Sequence, residues 1–100
     1  MNQFKRISTA ESRELIAKGN VAIVDVRDPQ SYNSSHIEGA VYLDNSTAQQ
    51  FIADTDSSTP VLVYCYHGNS SQGAAQYLVE QGFTDVYSMD GGFEVWRTET

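Results

Sequence analysis

One hundred residues, 40% hydrophobic and 19% charged, are enough for one domain that folds around its own core. The formal net charge of −7 argues against nucleic acid as a partner, because the six basic residues (Lys5, Arg6, Arg13, Lys18, Arg27 and Arg97) are scattered rather than clustered. The single cysteine, Cys65, excludes an intramolecular disulfide, and no apolar run reaches membrane-spanning length, so a cytoplasmic protein without membrane association is expected.

At the N-terminus, Met1-Asn2-Gln3-Phe4-Lys5-Arg6 carries basic residues with no apolar stretch behind them, so no secretion signal is expected. Ser8 with Glu11 reads as a capping box opening a first helix, which Gly19 closes. Val21-Ala22-Ile23-Val24-Asp25-Val26 is a continuous apolar strand of the kind buried inside a parallel sheet. Asp28 followed by Pro29 predicts an N-cap with proline in the first helical position, and a short helix to about Ser35. Ala40-Val41-Tyr42-Leu43 is a brief strand, and Ser46 with Gln49 forms a second capping box ahead of Phe51 and Ile52. After a polar loop over 54–59, Val61-Leu62-Val63-Tyr64 is a buried strand that runs into Cys65. A helix is predicted over 73–81, with Ala74, Ala75, Leu78 and Val79 toward the core and Gly82 at its end. Asp85-Val86-Tyr87-Ser88 is a further strand, and Gly91-Gly92 turns the chain into a terminal amphipathic helix anchored by Phe93 and Trp96. Alternating strands and helices with no linker or repeat predict one α/β domain over 1–100, a central, mostly parallel sheet flanked by helices.

Cys65 is the residue with chemistry to offer. It ends a strand and opens the short segment Tyr66-His67-Gly68-Asn69-Ser70-Ser71 before a helix, which is where open α/β sheets bind ligands. Loop N–H groups and the positive end of the helix can converge on the sulfur there and favour the thiolate, the nucleophilic form. An ordinary cysteine of pKa about 8.5 is only ~3% thiolate at pH 7. Lowering that value by two units takes about 2.7 kcal/mol. A helix N-terminus supplies up to ~2 kcal/mol, and charge-assisted bonds from loop amides supply the remainder. Gly68 suits a backbone that turns around an anion. Ser70 and Ser71 are sufficiently explained as helix caps, His67 offers a positive charge or a hydrogen bond, and His36 reads as structural.

Four segments occur in an order that resembles rhodanese domains: Ile23-Val24-Asp25-Val26-Arg27, His36-Ile37-Glu38-Gly39-Ala40, the loop from Cys65 to Ser71, and Asp90-Gly91-Gly92-Phe93-Glu94-Val95-Trp96. The resemblance covers nearly the whole chain and is greatest to single-domain thiosulfate sulfurtransferases of that family. It implies a rhodanese-like fold and a two-step sulfur transfer. The Cys65 thiolate takes the outer sulfur of thiosulfate and expels sulfite. The resulting persulfide then passes its sulfur to cyanide or to a dithiol such as thioredoxin. On the same basis Tyr66, His67, Gly68, Asn69 and Ser70 cradle the anion and the persulfide, while Asp25, Arg27 and Ser71 support the loop. Tyr66 stands where many rhodaneses carry a basic residue, so with a net charge of −7 weak binding of the thiosulfate dianion is expected.

Other chemistries fit less well. A zinc site from Cys65, His67 and His36 lacks the paired cysteines and the fourth ligand that structural zinc wants, so no metal and no cofactor are expected. The absence of Cys-x-x-Cys excludes a dithiol cycle within the chain. Phosphatase and arsenate reductase relatives of rhodaneses have a loop one residue longer that ends in an oxyanion-clamping arginine; the sixth position after Cys65 is Ser71. A non-catalytic interaction module would not need the cysteine and the complete loop.

Overall fold

In the computed structural model, which describes residues 3–99, the chain begins with a strand that the sequence pattern did not mark, β1 (Lys5–Ile7). Helix α1 (Thr9–Ala17) follows with the expected capping box, the Ser8 hydroxyl accepting the Glu11 N–H at 3.1 Å and the Glu11 carboxylate accepting the Ser8 N–H at 3.0 Å. Strand β2 (Ala22–Asp25) leads to α2 (Pro29–Ser34), where the Asp28 carboxylate caps the Ser31 N–H at 3.1 Å.

Strand β3 (Val41–Tyr42) precedes α3 (Ala48–Asp54). The predicted capping box of Ser46 and Gln49 is not formed. Asp44 comes first along the chain, and its carboxylate takes the Ser46 N–H at 2.8 Å and the Thr47 N–H at 3.1 Å, so the helix opens one residue later, from Thr47. Strand β4 (Val61–Tyr64) runs into the cysteine loop, and α4 (Ser70–Glu80) starts three residues earlier than its apolar periodicity predicted. Strand β5 (Val86–Met89) excludes Asp85 and includes Met89, and α5 (Gly92–Thr98) closes the described chain.

The five strands form one sheet in the order β1-β5-β4-β2-β3, and every pairing is parallel rather than most of them. Central β4 is wholly buried, and its side chains alternate between two cores. Val61 and Val63 join Val24, Ala75, Leu78, Phe83 and Val86 beneath α3 and α4. Leu62 and Tyr64 join Ile23, Met89 and Phe93 on the face covered by α1 and α5, where Leu15 and Trp96 pack. Each buried Leu, Val or Phe contributes about 1.5–3 kcal/mol, so the two layers fix the sheet's position firmly.

Strand order also sets the position of the site. The chain leaves β2 toward β3 on one side and leaves β4 toward β5 on the other, so the order reverses between β2 and β4. In open α/β sheets the crevice beyond the carboxyl ends of such strands is where ligands bind. Asp25 ends β2 there, and Cys65 follows β4 there. Among the described residues no helix is long and apolar enough to cross a membrane.

Candidate active site

Cys65 is a free thiol with 3% of its surface exposed. The Gly68 N–H donates to its sulfur at 3.2 Å and the Ser71 N–H at 3.3 Å. Ser71 is the second residue of α4, so its N–H is among the helix-end donors that have no partner within the helix. No side chain caps this helix from Asn69 and no acidic residue lies in its first turn. The Cys65 sulfur takes the position a capping oxygen would fill. Burial works against the anion, but the Ser71 hydroxyl, the Ser71 and Gly68 amides and the His67 amide outweigh it, so the thiol pKa lies below its ordinary value.

The loop keeps its amides toward the sulfur because its carbonyls are taken from the other side. The Phe93 N–H donates to the Cys65 carbonyl at 2.8 Å and the Glu94 N–H to the Tyr66 carbonyl at 3.1 Å. These are the opening amides of α5, which can approach so closely because residue 92 is glycine. Gly92 has φ +63°, and a Cβ there would lie 2.6 Å from the Cys65 carbonyl oxygen and would overlap the Tyr66 carbonyl. The sequence showed Gly91-Gly92 as a turn; its second use, docking α5 on the cysteine loop, depends on hydrogen bonds 28 residues back along the chain and carries no local signal.

Asp25, the last residue of β2, and Arg27 lie under the rim of the site. Asp25 is fully buried and accepts the Arg27 backbone N–H at 2.9 Å, Nε at 3.0 Å and Nη2 at 2.7 Å. The Arg27 side chain is only 4% exposed. Nη2 also donates to the Ser35 carbonyl at 2.5 Å, and the guanidinium lies 4.2 Å over the Phe93 ring and 5.7 Å from that of Tyr66. Burial pulls the Arg27 pKa down, but the Asp25 carboxylate more than compensates and holds it above its ordinary value. One ion pair thus ties β2, α2, the cysteine loop and α5 together.

Tyr66 hydrogen-bonds through its hydroxyl to the Asp28 carboxylate and the Ser31 hydroxyl, anchoring the loop to the start of α2. The Tyr66 hydroxyl, with the Ser31 hydroxyl and amide, holds Asp28 below the usual carboxylate range. His67, Asn69 and Ser70 are exposed along the loop. Ser70 and Ser71 do not cap α4 with their side chains: Ser70 is its first residue, and Ser71 is fully buried with its hydroxyl 2.8 Å from that of Ser88. The earlier helix start, imposed by the sulfur's hold on the Ser71 amide, explains the change. His36 is held by α2, stacked 4.0 Å from the Tyr32 ring with Nδ1 2.7 Å from the Tyr32 carbonyl. Sequence reasoning missed Ser88 and the Phe93 and Glu94 amides, all brought in from distant parts of the chain.

Comparison with known proteins agrees with this geometry. The chain is 57% identical over 98% of its length to thiosulfate sulfurtransferase GlpE of Pseudomonas entomophila, covering 89% of that protein. It is 56% identical over 98% of its length to thiosulfate sulfurtransferase GlpE of Pseudomonas syringae pv. syringae, covering 92% of it. Among solved structures, a rhodanese-related protein from Thermoplasma volcanium superposes with a TM-score of 0.79 at 25% identity, over 96% of this chain and 93% of that one. With the rhodanese-like domain model matching residues 8–99, the chain belongs to the rhodanese-like domain family.

Proposed function

We propose that the protein is a thiosulfate sulfurtransferase that works by double displacement through Cys65. The observation that carries the proposal is a nearly buried thiol receiving two backbone N–H groups at 3.2 and 3.3 Å, in a chain 56–57% identical to the two Pseudomonas sulfurtransferases. In the first step the Cys65 thiolate attacks the outer sulfur of thiosulfate, the S–S bond breaks, and sulfite leaves with the electron pair. Cys65 then holds a persulfide whose charge sits on the outer sulfur. In the second step cyanide, or one thiolate of a dithiol such as reduced thioredoxin, attacks that outer sulfur and Cys65 leaves as the thiolate. Cyanide becomes thiocyanate; a dithiol closes to its disulfide and releases hydrosulfide.

Cys65 is the nucleophile in one step and the leaving group in the next, so donors that stabilise its thiolate serve both. The segment Tyr66, His67, Gly68, Asn69 and Ser70 cradles the outer sulfur and the departing sulfite with its amides. Asp25, Arg27 and Ser71 hold that segment in shape. A reducing cytoplasm would keep a dithiol acceptor such as thioredoxin in the form that takes the sulfur, and the reaction is completed within one domain with no cofactor in the scheme.

Incubation with thiosulfate followed by intact mass measurement tests the reading: the wild type gains one sulfur atom, and Cys65→Ser gains none while keeping its fold. Initial rates with donor and acceptor varied give parallel lines. No sulfur on the wild type, or intersecting lines, would refute the persulfide route.

A further inference from the structure

Ser88 occupies a place where the sheet's pattern calls for an apolar side chain. In β5 it is two residues beyond Val86 and pairs in register with Val63, both in the core beneath α4. It is fully buried. A hydroxyl there is unfavourable unless hydrogen-bonded, and among the described residues its side chain has one such partner, the Ser71 hydroxyl at 2.8 Å. Ser71, also fully buried, donates its N–H to the Cys65 sulfur at 3.3 Å, and its hydroxyl is among the groups that favour the thiolate there.

We propose that Ser88 is a positioning residue for sulfur transfer, its hydroxyl holding that of Ser71 on the Cys65 sulfur through a buried two-hydroxyl relay. The direction of the relay follows from the donor inventory. A thiolate only accepts, so the Ser71 O–H donates to sulfur. The Ser71 oxygen is then free to accept, and Ser88 donates to it. Each bond polarises the next, which strengthens the donor that reaches the sulfur. When Sγ loses its charge to the outer sulfur of the persulfide, the Ser71 hydroxyl is free to turn and donate to Ser88 instead, so the pair follows the charge as Cys65 alternates between thiolate and persulfide. No water or mobile loop is needed, since both serines sit on rigid elements, α4 and β5.

The inference rests on Cys65 being the sulfur carrier, and its test reads the thiol without thiosulfate. Cys65 alkylation by iodoacetamide is followed against pH in the wild type, Ser88→Ala, Ser71→Ala and the double variant. Neighbouring titratable and charged groups stay in place throughout: His67 in the loop, Tyr64 in β4, the Asp25–Arg27 pair after β2, Asp90 after β5 with Arg6, and Glu94 with Arg97 on α5. Ser88→Ala raises the alkylation midpoint, so that the rate below it falls roughly threefold while the plateau above it is unchanged. Ser88→Thr, which keeps the hydroxyl, retains the wild-type midpoint. In the Ser71→Ala background the Ser88→Ala change adds nothing. An unmoved midpoint in Ser88→Ala, a threonine variant shifted as far as alanine, or a shift that persists without the Ser71 hydroxyl would each overturn the relay. Failure of the wild type to accept sulfur would refute the sulfurtransferase reading but leave these midpoints standing.

Discussion

Replacing Gly92 by alanine tests whether α5 shapes the cysteine loop. Two penalties combine at this position. A left-handed backbone costs an alanine about 1–2 kcal/mol. The new Cβ would also lie 2.6 Å from the Cys65 carbonyl oxygen and overlap the Tyr66 carbonyl, and overpacking against backbone that cannot rotate away costs about 1–3 kcal/mol more. Gly82→Ala is the matched control. Its φ of +106° also lies in the region that favours glycine, but a Cβ there meets nothing within 4 Å, so only the first penalty applies. At about 4–8 °C per kcal/mol for a domain of this size, Gly82→Ala should lower Tm by roughly 5–15 °C and Gly92→Ala by roughly 10–30 °C. The second readout is chemical. Displacing the loop carbonyls from the Phe93 and Glu94 amides also turns the Gly68 and Ser71 amides off the sulfur. A hydrogen bond to a charged group is worth about 1.5–3 kcal/mol, so partial loss of one should raise the pH midpoint of Cys65 alkylation by about one unit. Gly82→Ala should leave that midpoint alone. Equal Tm losses in the two variants, with equal alkylation midpoints, would refute the claim that α5 sets the amide geometry.

Arg27→Met should cost about 3–5 kcal/mol in urea unfolding, because it leaves the fully buried Asp25 carboxylate without its cation; a loss below about 1 kcal/mol would mean the pair is not holding the rim. Cys65 should make stability pH-dependent. Its folded pKa is depressed, so the thiolate's contribution is fully present above the unfolded value of about 8.5 and is lost as pH falls through the folded pKa. The stability difference between wild type and Cys65→Ser should therefore rise with pH across that window, and a flat difference would contradict a depressed thiol. Tyr66→Arg should lower KM for thiosulfate several-fold from a value near or above ~1 mM, since it places a cation at the mouth of an acidic protein; steady-state kinetics showing an unchanged KM would mean the loop amides alone set affinity.

Most of the fold was legible because its signals are local. The capping box of Ser8 and Glu11, the Asp28-Pro29 helix start, and the apolar runs over 21–26 and 61–64 each act over a few residues, and the structure carries a helix start or strand at each, the first run shortened to Ala22–Asp25. The run of residues from Cys65 to Ser71 marked the site because strand, loop and helix start are contiguous there. What tertiary structure alone decided involves partners far apart in sequence. β1 is a strand only because Lys5, Arg6 and Ile7 pair with Tyr87, Ser88 and Met89; three residues with one apolar member have no period to read. Helix α4 begins at Ser70 because a sulfur, not a recognised capping oxygen, receives its first turn. The Arg27 guanidinium over Phe93, the α5 amides on the Cys65 and Tyr66 carbonyls, and the Ser71–Ser88 hydroxyl pair exist only once the sheet brings β2, β4 and β5 side by side. Sequence therefore singled out the atom proposed to react, since a single cysteine at a strand's end has no competitor, whereas the donors that lower its pKa come from separate elements that packing alone brings together.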